Sequence, residues 1–469
     1  VPQGSANGVM GSLYWPRNDD MRNYLNANGT QRIFNPADND NPYWTIANKP
    51  LTNNINRVIA IGNIDYNPFS FLNITYRLGT DFFSEDFKSI RMPGTLEATA
   101  LRGAIAQSAG TNQITTSTVI VTGKKTVAED FKFSLALGQN LESANNQTTT
   151  SSAIRFIDPS FPSLNNTVAA DRTVSERINR RRIFGLFGDF TADWKGIAYL
   201  NLRARNDWSS TLPVTDNSFF YPSISGALIF TDLLKEWGLK SDDNTFSYGK
   251  IRAAYSEVGK DAPPHVTTTS LASVTNTFTI NPRGFITNAN NPFGNPTLVP
   301  EFTKAFEIGT DIRFIKNRVG LDFTYYNSKS SNQILATRVP PSAGAFLTYL
   351  NGGSIKNEGI EIVLNAQAIT NPNFKWSIDV NFARNTSIVK ALPGTLNRIE
   401  LSDAWVADNA AQGAAFLNGS LFGINGNVWK RNANNELLLG NNGYPQVQTA
   451  LTNIGDRNPD FTSGITNTF

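Results

Sequence analysis

Phe374-Lys375-Trp376-Ser377-Ile378-Asp379-Val380-Asn381-Phe382 alternates without a break, every even position apolar and every odd one polar or charged. Side chains of a strand point to opposite faces in turn, so this segment has one wholly apolar face and one polar face. The same period recurs upstream. Leu72, Ile74, Tyr76 and Leu78 oppose Asn73, Thr75, Arg77 and Gly79. Phe131, Phe133, Leu135 and Leu137 oppose Lys132, Ser134 and Ala136. Ala198, Leu200, Leu202 and Ala204 oppose Tyr199, Asn201, Arg203 and Arg205, and Val319, Leu321, Phe323 and Tyr325 oppose Arg318, Asp322 and Thr324. Weaker versions at 58–66, 113–123, 184–192, 222–230, 249–255, 306–314 and 360–366 bring the expectation to about twelve strands. Many approach the roughly 9–11 residues that cross a bilayer at a tilt.

A soluble sandwich would alternate as well, with its apolar face turned inward. The connections separate the two folds. Short turns are expected at 67–71, 124–130, 194–196, 315–317 and 367–373, and long connections at 83–112, 141–182, 208–221, 258–302 and 328–359. An intermediate connection at 231–247 carries a helical-looking stretch from Leu233 to Trp237. Strict short–long alternation places all short turns at one rim and all long loops at the other, as in a transmembrane antiparallel β-barrel. The apolar faces named above hold no Lys, Arg, Asp or Glu, whereas the opposite faces carry Arg77, Asp81, Lys132, Arg203, Arg205, Asp322 and Asp379. Lys or Arg on a lipid face costs about 2–4 kcal/mol at the bilayer midplane, which accounts for the segregation. Phe69/Phe71, Phe219/Phe220/Tyr221 and Trp194 near strand ends are expected to form interfacial girdles.

Composition excludes several chemistries. The 469 residues contain no Cys and one His, so there is no disulfide framework, thiol nucleophile or Cys-based zinc site. A net charge of +3, from 41 basic and 38 acidic residues, does not point to nucleic acid. Apolar runs fall far short of the ~18 residues of a membrane helix. The residues after Val1 show no signal-peptide pattern. His265, in Asp261-Ala262-Pro263-Pro264-His265, reads as a solvated loop residue because no activated nucleophile is indicated nearby. No catalytic, cofactor-binding or metal-ligating set is expected. Asp38, Asp40, Asp242 and Asp243 suit turns better than a cation, and Arg180-Arg181-Arg182 suits solvated charge better than a lipid-phosphate grip. Trp405 with Asn409 and Gln412, and Tyr444 with Asn441 and Asn442, combine ring and amide as a sugar site would.

Several segments, in a common order over nearly the whole chain, resemble the SusC/RagA family of TonB-linked outer-membrane transporters. They are Asn39-Asp40-Asn41-Pro42-Tyr43-Trp44, Arg205-Asn206-Asp207-Trp208-Ser209-Ser210 with Tyr221-Pro222-Ser223-Ile224-Ser225, and Tyr248-Gly249-Lys250-Ile251-Arg252-Ala253 with Ser256-Glu257-Val258-Gly259. Asn295-Pro296-Thr297-Leu298 with Glu301, Glu307-Ile308-Gly309-Thr310-Asp311, Asn351 to Glu361, and Ile454 to Phe461 continue the series. Tyr255 and Ser256 depart from the family's usual bulky-then-Gly pair.

The resemblance implies a 22-stranded barrel with a plug in its lumen, a SusD-like surface lipoprotein as a cap, TonB as the energy source, and import of oligosaccharides or peptides. The chain is expected to be an interior fragment of such an all-β protein, with plug, TonB box and terminal strands missing. Residues 1–56 are expected to form an extracellular loop region, 57–384 about twelve transmembrane strands, and 385–469 a loop region leading into a further strand. Outer-membrane lipid or lipopolysaccharide would surround the barrel. Arg77, Asp81, Arg203, Arg205 and Asp207 are the expected lumen or substrate contacts. Two other readings remain open at this point: a barrel that only docks other components, and a soluble glycan-binding surface protein.

Overall fold

The computed structural model describes residues 12, 15–33, 40–96, 102–239, 245–275, 283–286, 292–340, 342, 347–400 and 411–469. The strands are β1 (Leu51–Phe69), β2 (Leu72–Arg91), β3 (Ala104–Val127), β4 (Phe131–Ile154), β5 (Thr173–Trp194), β6 (Ala198–Ser209), β7 (Ser218–Ile229) and β8 (Phe246–Lys260). They continue with β9 (Ala272–Thr275), β10 (Arg283–Ile286), β11 (Glu301–Phe314), β12 (Val319–Arg338), β13 (Leu347–Asn371) and β14 (Phe374–Ala391). The last five are β15 (Arg398–Glu400), β16 (Ala411–Phe416), β17 (Gly423–Gly426), β18 (Thr452–Asp456) and β19 (Thr462–Thr468). Thirteen of them form one sheet in the order β1 to β8, β11, β12, β13, β14, β19. Sequence neighbours are therefore spatial neighbours, except where β9–β10 and β15–β18 form small sheets of their own within long connections. This is an up-and-down meander, without Greek-key crossovers.

The chain divides into two compact units, one of Val1–Asn63, Arg77–Ser117 and Glu142–Arg182, the other of Ile64–Tyr76, Thr118–Leu141 and Ile183–Phe469. In the second, the turns at 70–71, 128–130, 195–197, 315–318 and 372–373 are short, and the connections at 261–300 and 392–461 are long. The expected alternation holds only in part: the connection at 230–245, on the side of the short turns, is longer than those at 210–217 and 339–346, and strands run well past the marked segments. β13 has 25 residues and β4 has 24, about 80 Å at ~3.3 Å per residue, against a hydrocarbon core of about 30 Å. The pattern fades in these extensions because both faces meet water there, as in Asn145-Asn146-Gln147-Thr148-Thr149-Thr150-Ser151-Ser152 of β4.

Apolar burial is inverted relative to a water-soluble sheet. Leu135, Leu137, Leu200, Leu202, Ile224 and Phe374 all stand exposed on the strands. Burial is found instead where strands meet long loops. In the second unit Leu212, Phe219, Ala262, Val266 and Leu298 pack together, and in the first Ile105, Ala153 and Phe156 do so. An exposed apolar face of this extent is stable only against hydrocarbon. Aromatic pairs gather beside the short turns: Phe69/Phe71 at 5.4 Å, Phe133/Phe190 at 6.0 Å, Phe230/Phe246 at 5.8 Å and Phe246/Phe314 at 5.5 Å. Phe219 does not belong to a girdle. It lies opposite Asp207 on the polar face, over Gly259, and is buried in the loop-end core.

In the first unit, the loop from Arg155 to Arg172 is tied across its neck by Arg155, whose guanidinium donates twice to Asp171. That hydrogen bonding holds the Asp171 carboxyl below its ordinary value of 3.8. A depressed carboxyl contributes stability that is full above its unfolded value and is lost as pH falls through the folded one. Limited proteolysis of this loop is therefore expected to stay constant from neutral pH to about 5 and to accelerate below about 4. Asp171→Asn should reduce that acceleration, leaving the part due to Asp158, whose carboxyl the Ser160 amide and hydroxyl also hold low.

Candidate functional site

The face opposite the exposed leucines is lined by charges that are paired across strands. In the first unit Arg57 grips Asp81 through two hydrogen bonds of 2.8 and 2.5 Å. Arg77 donates to Asn63 at 2.9 Å, and Asn53 to Glu85 at 2.7 Å. Arg77 and Asp81 thus lie on the same strand face, each turned toward a different residue of β1.

In the second unit the registry of β5, β6 and β7 sets Asp189 opposite Arg203, Phe187 opposite Arg205, and Arg205 opposite Tyr221. Arg203 donates to Asp189 at 2.5 Å. Arg205 donates to Asp207 at 2.8 Å while its guanidinium lies over the Phe187 ring at 5.8 Å. Tyr221 gives its hydroxyl proton to the second Asp207 oxygen at 2.5 Å. This cluster fits because the residue opposite Asp207 is Gly185, where a Cβ would come within 2.3 Å of the carboxylate. Asp207 is buried, and its charge is satisfied by two donors in low dielectric surroundings.

The same device recurs further along. Arg252 on β8 reaches across Gly309 of β11 to Asp322 on β12, with hydrogen bonds of 3.0 and 2.9 Å, and donates to Thr324 at 2.6 Å. A Cβ on Gly309 would come 2.8 Å from the Arg252 Nε. Gly309→Ala should therefore displace the arginine and cost about 1 kcal/mol, as expected for a half-exposed pair. Combined with Arg252→Met it should cost no more than either change alone, which a double-mutant cycle on thermal unfolding checks. Towards the short turns a groove of about 380 Å³ is lined by Asp311, Arg313, Arg318, Asp322, Asn365 and Asp379 among others.

Alternation alone identifies the polar face but not its pairs. Arg203, Arg205 and Asp207 come together as one wall with Asp189 and Phe187, for which alternation gave no sign, and with Tyr221, which was expected in a girdle and lies instead on the polar face. The other candidates fall apart as sites. His265 is exposed, in a left-handed turn with φ of +66°. Asp40 is consumed in the fold, accepting from Gln31 and the Leu96 amide at 2.8 Å each and pairing with Lys49 at 3.5 Å. Its neighbour Asn41 caps the helix Pro42–Asn48. Asp38, Asp242, Asp243, Trp405 and Asn409 lie outside the described residues. Gln412 sits in β16, and Tyr444 is exposed with its amide bonded to Asn442. In the arginine run, Arg181 pairs with Glu142 at 2.7 Å and Arg180 donates to Asn145 at 3.4 Å. Among the described residues no group of three His, Cys, Asp or Glu side chains is placed to hold a metal.

Two of the family-like segments supply clamps. Ser209 and Thr211 both donate to Asp261, at 2.5 and 3.0 Å. Asn351 bonds Val299 through both its amide nitrogen and its oxygen. They fasten long loops to strand ends.

A meandering sheet with a lipid-facing apolar side, a charge-paired polar side and long loops at one rim defines an outer-membrane β-barrel protein. Sequence comparison agrees. The family described as "TonB dependent receptor-like, beta-barrel" matches residues 2–465, and the chain belongs to it. Its members are integral outer-membrane receptors and transporters, not enzymes. TonB-dependent receptor P3 of Formosa agariphila is 26% identical over 323 residues, covering 62% of this chain and 31% of the relative. TonB-dependent receptor P26 of the same organism is 23% identical over 382 residues, covering 78% and 38%. The solved RagAB peptide transporter superposes with a TM-score of 0.74 at 17% identity, over 94% of this chain and 49% of that one. The RagAB importer in its closed-closed state gives 0.73 at 16% identity with the same coverage. The chain thus spans about a third of the length of these curated relatives and about half of the solved one. The soluble glycan-binding reading is excluded, since the exposed leucine face needs a bilayer.

Proposed function

We propose that this chain is the barrel part of a TonB-driven importer that carries oligosaccharides or peptides across the outer membrane with a SusD-like surface lipoprotein. The carrying observation is the polar face, whose charges are neutralised in pairs along the wall: Arg57 with Asp81, Arg203 with Asp189, Arg205 with Asp207 and Arg252 with Asp322. Such a wall offers hydrogen bonds without a strong net field, which suits a neutral or zwitterionic cargo better than a simple ion. The likeness to the RagAB peptide importer favours peptides on the same grounds of fold.

On this reading the thirteen strands are part of a larger barrel. Residues 1–56 and the long connections face the outside, and residues 57–384 carry most of the membrane crossing. The segment 385–469 leads through an outer loop into β19. Arg77, Asp81, Arg203, Arg205 and Asp207 face the lumen, where they meet a plug or the cargo.

The test is growth of a strain deleted for the full-length gene, on defined peptides or defined oligosaccharides as sole carbon source. Complementation by the intact gene, but not by one lacking its TonB contact, supports energised import. Unchanged growth on every substrate, with loss of a co-purifying lipoprotein instead, would leave a docking role and refute transport.

A further inference from the structure

Three lysines, 25 and 27 residues apart in sequence, are brought into one row by strand registry. Lys304 of β11 lies directly opposite Lys329 of β12, and Lys329 directly opposite Lys356 of β13. Adjacent strands are about 4.8 Å apart, so three ammonium-bearing positions fall within about 10 Å. Like charges placed directly opposite destabilise a sheet, and a row of three calls for a compensating anion.

The row is on the lipid-facing side. Lys304 shares its strand face with Phe306 and Ile308, Lys329 with Phe323 and Tyr325, and Lys356 with Ile360, all positions of even spacing along each strand. Its height is also informative. Lys329 is the eleventh residue of β12 counted from the short turn, which at a tilt of about 45° rises about 25 Å, the height of the apolar band. The row therefore stands at the headgroup layer on the side of the long loops.

Neutralisation within the chain is incomplete. Lys304 pairs with Glu257 at 2.9 Å and Lys356 with Glu358 at 2.7 Å. Lys329, between them and exposed, has no ion pair among the described residues. One strand further, the β14 residue opposite Lys356 is Ile388, so the row ends at β13; Arg384, exposed on the same face opposite Ile360, lies about 13 Å nearer the short turns.

We propose that Lys304, Lys329 and Lys356 form a binding site for the phosphate groups of an outer-leaflet lipid. The central ammonium receives the phosphate, and the two flanking lysines turn from their glutamates to share it. This site is independent of the cargo and stands whatever the barrel imports.

The experiment uses the full-length protein in detergent, titrated with bisphosphorylated lipid A, with dephosphorylated lipid A and with inorganic phosphate. Binding is read as the shift in the temperature at which the folded, fast-migrating band disappears on gels. Bisphosphorylated lipid A is expected to raise that temperature. Lys304→Gln/Lys329→Gln/Lys356→Gln should weaken binding about tenfold or more, and the corresponding triple arginine variant should retain it. Lys329→Gln alone gives the same reading, in smaller measure, should the triple variant not fold. Equal binding of dephosphorylated lipid, or undiminished binding by the glutamine variants, would overturn the proposal. An equal shift from inorganic phosphate at matched concentration would overturn the lipid as its source.

Discussion

Arginine in place of Leu202 is expected to keep most of the protein from reaching its folded, membrane-inserted form, whereas arginine in place of the adjacent Asn201 is tolerated. Leu202 is exposed on β6 between Phe190 of β5 and Ile224 of β7. It is the fifth residue of its strand counted from the short turn, close to the middle of the bilayer. A guanidinium there costs about 2–4 kcal/mol, a factor of thirty or more in the inserted fraction. Asn201 points to the other face, where its amide donates to Thr191 at 2.7 Å. A longer cation there meets water and the Asp189 carboxylate rather than hydrocarbon. Heat-modifiable mobility of outer-membrane fractions measures both variants. Equal loss of the folded band at the two positions would show that the assigned faces are wrong.

Loss of the Asp207 carboxylate should be the most damaging single change on the polar wall. Asp207→Ala leaves the Arg205 guanidinium with the Phe187 ring but no anion, and leaves the Tyr221 hydroxyl without its acceptor. Removing one partner of a buried pair costs about 3–5 kcal/mol. Arg205 keeps some access to water, so about 2–4 kcal/mol is expected here. Asp207→Asn, which retains an acceptor for Tyr221, should cost less than half as much. Thermal unfolding of the two variants, with Arg205→Met as the third corner of a cycle, checks the ranking. If alanine and asparagine are equally mild, the cluster contributes little to stability and its residues are available to cargo instead.

Much of the architecture was legible because the bilayer imposes its rule locally. A strand with lipid on one side and water on the other must alternate, as Phe374 to Phe382 does, whatever its neighbours are. Connection lengths were legible only for the tight turns, since much of what reads as long loop at 83–112, 141–182 and 328–359 is strand. The strand ends were not legible, since in the extensions of β4 and β13 both faces meet water and the period loses its cause. Phe219 was misplaced for a related reason: an aromatic near a strand end belongs to a girdle on one face and to the loop-end core on the other.

The candidate site divides in the same way. Arg77, Asp81, Arg203, Arg205 and Asp207 are recognisable as polar-face residues from their phase alone, but their partners are set by register. Arg57 and Asp81 are 24 residues apart, Arg252 and Asp322 are 70 apart, and nothing local joins them. Gly185 and Gly309 gain their meaning only once a neighbouring strand lays a side chain across them.

By itself, then, the sequence determined an all-β chain with a lipid face and a polar face joined by tight turns, because periodicity, turn residues and the apolar stripe of each marked segment are properties of single segments. Tertiary structure alone decided which charges neutralise one another and which are left to an outside partner. Lys304, Lys329 and Lys356 are unremarkable residues in the sequence, and registry between three strands makes them one row of charge. Pairing across strands is a long-range fact, and a one-residue slip in any of them would turn its lysine to the other face.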